Sequence, residues 1–183
     1  KITKNHIRSE QYIYKIKHIF HIFEEQIKQY FSNYEIFDIF KNNKLVLLIL
    51  IESNIIHVDQ EIKSMMMKKK YQMAKYPEFF YLNEGISNAD KEFEEKRRIG
   101  ENDLEICKII RTDQIDSFIE YVTKNNFPLN STIKTSIFET NQFLLEKDQI
   151  KIIEYASFFG SIEIINFLVR EEVDLLPTMW EYA

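Results

Sequence analysis

The chain reads as an all-α protein: a helical N-terminal domain over residues 1–90, then a short helix–turn–helix solenoid over 91–183 that is a fragment of a longer array. Three observations predict this. Gly and Pro number only three each in 183 residues, and since these residues punctuate structure, long helices are expected and a turn-rich all-β fold is not. Apolar residues recur at spacings of three and four, the helical period. The end of the chain also repeats itself. Ile152 to Gly160 reads as a helix closed by a glycine turn, a second helix follows, and Trp180-Glu-Tyr-Ala183 restates Ile153-Glu-Tyr-Ala156. Self-similarity at a fixed period marks repeat architectures. A terminal repeat normally carries a polar face, and this one stops on apolar residues, so further repeats are expected after Ala183.

Residues 5–31 form the first expected helix, with Ile13, Ile16, Phe20, Phe23, Ile27 and Phe31 in one apolar stripe. Lys15, Lys17, Glu24, Glu25 and Lys28 lie largely off it. Ser32 and Asn33 break the pattern and can cap a short helix, Tyr34 to Phe40. Asn42 and Asn43 interrupt next. Leu45 to Ile51 is the longest apolar run, far short of the roughly 20 residues that span a bilayer, so it reads as a buried helix and no membrane span is expected. Asp59 can cap a helix that runs to about Tyr76 and stops at Pro77. Residues 77–90 are the expected hinge, and the charged segment 90–98 links the two domains. In the second domain Asn102 or Asp103 is placed to cap a helix. Asp113 occupies the turn position that Gly160 fills later. Ile115, Phe118, Ile119 and Val122 are expected to face the core. Residues 125–147 are less regular, and Asp148 is expected to cap the helix of the clear repeat.

The formal net charge is −5, without the clustered basic face that nucleic-acid binding needs. The single cysteine, Cys107, cannot form an intrachain disulfide and suits a reducing compartment. Its neighbours Ile106, Ile109 and Ile110 make it a packed core thiol. The first residues lack the apolar stretch of a secretory signal, so a cytoplasmic location is expected, with cytoskeletal association as the variant. Glycine-rich phosphate loops, a nucleophile elbow and Cys/His zinc spacing are all missing from the sequence. No catalytic residue, cofactor, metal or small-molecule substrate is therefore expected, and the chain is not read as an enzyme. His18, His21 and Glu25 share a helix face at metal-ligand spacing, but read more simply as surface residues. Lys68 to Lys70 reads as a solvated helix face rather than a phosphate-binding patch. Part of Met65 to Met67 can serve as an adaptable contact. Glu154 and Glu181 recur at equivalent positions, which suggests a structural hydrogen bond.

The stretch Ile153-Glu-Tyr-Ala-Ser-Phe-Phe-Gly-Ser-Ile-Glu-Ile-Ile-Asn-Phe-Leu168 resembles the ankyrin repeat. Ala156 and Ser157 match the small pair between the two helices, Gly160 the turn glycine, Glu163-Ile164-Ile165 the start of the second helix, and Asp174 the closing Asp. Departures are also present. Glu154 and Glu181 stand where the family has His, Ser161 replaces a second His, and Glu172 replaces a Gly. Ala183 follows Ala156 by 27 residues, against about 33 for the family. The positions of Asp113 and Gly160 lie 47 apart, so the first unit is irregular. Tyr76-Pro-Glu-Phe-Phe80, Arg98-Ile-Gly-Glu-Asn-Asp103 and Ser136-Ile-Phe-Glu-Thr-Asn141, taken with 153–160, resemble a family of divergent ankyrin-type proteins of trichomonad protists known as a domain of unknown function. The resemblance spans about residues 75–183 and implies a helical stack with a helical N-terminal cap, without catalytic residues.

By that alignment the partner-contacting positions are Lys108, Arg111 and Thr112 in the first unit, Tyr155, Phe158 and Phe159 in the second, and Tyr182 in the third. Exposed aromatics are favoured at interface hot spots, although Phe158 and Phe159 could instead pack against the shortened loop. The expected function is a non-enzymatic scaffold that binds a protein partner through the concave face. The alternative is a structural component of a cytoskeletal or ciliary assembly, anchored by the first helix.

Overall fold

The computed structural model describes residues 10–68, 91–147 and 149–181, and these are mostly helical. The expected helix end near Tyr76, the hinge at 77–90, Asp148 and Tyr182 lie outside them. The chain divides into two compact units, residues 1–100 with 140–142, and residues 101–139 with 143–183. The charged helix after residue 90 thus falls in the first unit, ten residues past the expected boundary.

The first unit contains α1 (Glu10–Ile22), α2 (Glu24–Tyr30), α3 (Asn33–Phe40), α4 (Lys44–Glu52), α5 (Gln60–Lys68) and α6 (Lys91–Ile99). The first expected helix is broken at Phe23, whose backbone (φ −102°, ψ 13°) leaves the helical region. Hydrogen bonds from Phe23 N–H to Ile19 O and from Ile27 N–H to Phe23 O carry the chain across the break. Ser32 starts α3 with a capping box: its hydroxyl accepts from Glu35 N–H, and Glu35 accepts from Ser32 N–H. Asn43 caps α4 by accepting from Val46 N–H at 3.1 Å. Leu47, Leu50, Ile56 and Ile62 form the centre of the core, with Phe20 and Ile27 of α1 and α2 packed on it. Asp59 caps α5 as expected, accepting from Ile62 N–H at 2.9 Å, and also accepts from the Asn33 amide at 2.7 Å. Lys17 and Arg97 both reach Glu52, at 3.2 and 3.4 Å.

The second unit is built from α7 (Glu105–Arg111), α8 (Ile115–Lys124), β1 (Thr132–Lys134), α9 (Gln142–Leu145) from Phe143 onward, β2 (Gln149–Lys151), α10 (Ile152–Phe159), α11 (Ile162–Arg170) and a 3-10 turn, Pro177–Glu181. Two helix–turn–helix pairs stack, α7 on α10 and α8 on α11. Phe118 of α8 meets Phe167 of α11 edge-on, with centroids 5.9 Å apart. Between the pairs runs an antiparallel ribbon in which Thr132 faces Lys151, Ile133 faces Ile150 and Lys134 faces Gln149. The reading of this stretch as irregular gave no hint of strands. Three cap and core expectations are also corrected. Leu104 occupies the α7 N-cap position, while Asn102 is buried nearby and accepts from Leu104 N–H. α10 follows β2 directly, with Lys151 in its N-cap position. Ile119 is 38% exposed, whereas its neighbour Phe118 is buried.

Five helices close through the same device. Asn54, Asp113, Asn126, Gly160 and Glu172 adopt left-handed φ values of 54°, 50°, 47°, 68° and 58°. The next residue then bonds back to the carbonyl five earlier: Ile55 to Leu50, Gln114 to Ile109, Phe127 to Val122, Ser161 to Ala156 and Val173 to Leu168. This is the Schellman closure, which usually uses glycine; of these five, one uses it, at 160, while Gly100 (φ 65°) follows α6 and bonds back to Lys96 O. The expected equivalence of Asp113 and Gly160 is thus seen in the backbone. Glu172→Gly should relieve left-handed strain and raise stability by about 1 kcal/mol, or roughly 2–4 °C in Tm for a chain of this size. Gly160→Ala meets no atom within 4 Å, so its loss, about 1–2 kcal/mol, is backbone strain alone. Thermal and urea melts of both variants check this; a Glu172→Gly protein less stable than wild type would contradict it.

Candidate interaction face

Arg111, at the end of α7, is the hub of a polar knot. Its Nη1 donates to the Tyr155 hydroxyl at 2.8 Å and to the Asn102 carbonyl at 2.9 Å. Its Nε lies 2.9 Å from Glu101 Oε2, and its guanidinium sits 5.9 Å from the centroid of the Phe159 ring. The planar guanidinium alone offers this many donors in fixed directions. Asn102 extends the knot: its N–H donates to Glu139 and its side-chain amide to Lys134 O. Burial pushes the Tyr155 hydroxyl well above the usual tyrosine range. It likewise pushes the Cys107 thiol up to about 12, so Cys107 is a neutral core group, as its apolar neighbours suggested.

The aromatic residues of α10 continue inward from this knot. Phe159 tilts against Tyr155 at 4.8 Å and meets Phe158 edge-on at 4.9 Å. Phe158 stacks on Phe143 of α9 at 5.7 Å.

The seven positions expected to touch a partner therefore separate. Lys108 and Thr112 are exposed, with the Thr112 hydroxyl folded back onto the Lys108 and Ile109 carbonyls. Arg111 and Phe159 are half-buried. Tyr155 and Phe158 are only 1% and 2% exposed, which corrects the reading of Tyr155 as a surface aromatic; Phe158 takes the inward-packed alternative, against Phe143. The alignment carried exposure from α7 to α10, but α10 is flanked by α7, by Phe143 and by the 3-10 turn. Tyr182 lies outside the described residues.

The accessible part of this face is the edge where the two turns lie side by side. The Ser161 hydroxyl donates to Ile110 O at 2.6 Å. The Asp113 carboxylate accepts from Glu163 N–H and Ile164 N–H, both at 3.1 Å, so the turn of one helix pair caps the second helix of the next. This satisfies amide donors that a helix start leaves open. Thr112, Gly160 and Ile162 stand exposed along the joined edge, Ile162 at 58%. Sequence reasoning placed Asp113 in a turn but missed its capping role, because the amides it caps lie 50 residues on. Ile162, an exposed apolar residue, was not singled out at all.

Glu154 is the structural carboxylate expected of it. It accepts from Thr178 Oγ1 at 2.6 Å, from Lys151 N–H at 3.2 Å and from Lys147 Nζ at 3.3 Å. Burial pushes its pKa up, but the hydrogen bonds from Thr178 and Lys151 and the Lys147 charge outweigh that and hold it below the usual glutamate value. Among the described residues no three His, Cys, Asp or Glu side chains gather to hold a metal, and no helix is long and apolar enough to cross a membrane.

No protein-family model, curated protein or solved structure matches this chain. What fold and face define is a mostly helical protein with two stacked helix pairs joined at their turns.

Arg111→Ala should cost about 2 kcal/mol, less than a fully buried pair because Glu101 keeps 29% side-chain exposure. Arg111→Lys should recover only part of it; equal stability of all three proteins in urea would remove the hub role. Glu154→Gln should cost about 1 kcal/mol at pH 7. Because the folded-state pKa is lowered, the wild-type advantage is complete above the ordinary value of 4.5 and is lost as pH falls below it. Paired urea titrations from pH 7 to pH 3 check this; a gap that widens in acid would refute the assignment.

Proposed function

We propose that this chain is a non-enzymatic protein-interaction module, an ankyrin-like stack with a helical N-terminal domain, that binds a protein partner in the cytoplasm. The joined turn edge carries this reading. Lys108, Thr112 and Ile162 stand on backbone fixed by the Asp113 cap and the Ser161 bond, so ordering them against a partner costs little entropy. Arg111 and Phe159 lie beside them and extend the surface inward.

A second reading, a structural component of a larger assembly, is favoured by one observation. Ile19 and Ile22 of α1, Phe23 between the helices and Tyr30 of α2 are more than half exposed, which suits an anchoring segment.

Affinity capture from the native cell with mass spectrometry discriminates the two readings. The comparison is wild type against a Lys108→Glu/Thr112→Arg double variant, whose exposed positions leave the circular dichroism melt unchanged. The interaction-module reading expects one partner set to fall at least about tenfold in the variant, a loss of about 1.4 kcal/mol. Partners that are unchanged in the variant and survive high salt would transfer the function to the N-terminal helices.

A further inference from the structure

α1 and α2 carry two apolar flanks where a surface helix normally has one. The first holds Phe20 and Ile27 against the core of the N-terminal unit. The second holds Ile19, Ile22, Phe23 and Tyr30, exposed at 53%, 54%, 51% and 72%, with Gln26 between them at the helical period. Each such half-exposed side chain offers roughly 100 Å². With their polar neighbours they offer on the order of 600–800 Å² per copy, the range at which a helical protein pair becomes stable.

We infer that this second flank is a self-association surface, on which a second copy of the chain packs its own α1 and α2 antiparallel, crossing near Ile22. A two-fold interface sets each residue near its axis against its own copy, so a charge there would repel itself. The residues at the crossing satisfy this condition. Ile19 and Ile22 are uncharged, and Gln26 is an amide that both donates and accepts. The charges stand to either side in an order that fits the antiparallel arrangement. Crossing at Ile22 sets exposed His18 beside the second copy's Gln26, twice per dimer, and Lys15 beside the second copy's Gln29, so no like charges meet. Parallel packing would set His18 against His18 and Lys15 against Lys15.

The test is sedimentation of the full chain from about 1 to 200 µM, the range in which an interface of this size dissociates. A reversible monomer–dimer equilibrium is expected. Ile22→Lys and Ile22→Glu should each keep the wild-type melt and weaken association at least tenfold, because like charges then meet at the axis. Mixing the two variant chains should restore the dimer as a hetero-pair, an outcome that misfolding of either could not produce. A wild-type chain that stays monomeric throughout would overturn the inference and leave the flank to a different partner. A dimer indifferent to Ile22→Lys, or variants that fail to re-associate on mixing, would overturn it equally.

Discussion

The second unit depends on one constraint: α10 is a helix with almost no solvent face. Ile152 to Ala156 and Phe158 are all buried, so the chain must supply cover on every side. It does so with α7 and α11, with Phe143 of α9, and with the 3-10 turn. The cost of such a helix lies in its polar atoms, because a buried oxygen without a partner loses its hydration for nothing. Two polar side chains of α10 sit deepest in this cover, and each is matched. The Tyr155 hydroxyl takes Arg111, and the Glu154 carboxylate takes Thr178, Lys151 and Lys147. Arg111 binds α7 to α10, and Thr178 binds the 3-10 turn to α10, so satisfying these two groups also locks the cover in place.

The turns follow the same economy with few glycines. A left-handed residue lets each helix end within one step and start the next at once. Asn and Asp tolerate that conformation better than other side chains, and Asp113 gains a second use from it. Its side chain is delivered to the neighbouring pair's helix start, where Ser161, the N-cap residue, makes no side-chain cap bond and turns its hydroxyl to Ile110 O instead. A glycine at 113 would relax the backbone but remove the cap. Position 160 bears no such duty, and there glycine is present.

What the sequence made legible were the features whose causes are local. Ser32 with Glu35, Asn43 and Asp59 announce helix starts because each cap and its target amide lie within three residues. The all-helical class follows from the scarcity of Gly and Pro, and the shared turn geometry of Asp113 and Gly160 from their places in the repeat. The features that stayed hidden have distant causes. Tyr155 and Phe158 look like surface aromatics until Arg111 and Phe143, brought in from elsewhere in the chain, cover them. Strands of three residues, such as Thr132–Lys134 and Gln149–Lys151, are too short for alternation to stand out. The break at Phe23 leaves Phe20 and Ile27 on the core but Phe23 and Phe31 of the expected stripe exposed, a difference the apolar period alone does not show.

The same distinction bears on where function can reside. Aromatic residues confined by the needs of α10 are not available to a partner, however well their type suits an interface. Side chains that nothing in the fold requires are the better candidates, since an exposed large apolar group gains nothing from water. Ile162 on the turn edge, and Ile19, Ile22 and Phe23 on the outer flank of α1 and α2, are of this kind. The first stands on a backbone fixed by cross-pair hydrogen bonds. The others stand on α1 or at its end, next to helices whose Phe20 and Ile27 pack on the core. In both places the apolar groups stand on backbone the fold already fixes, and such preorganisation lowers the entropy cost of any contact formed there.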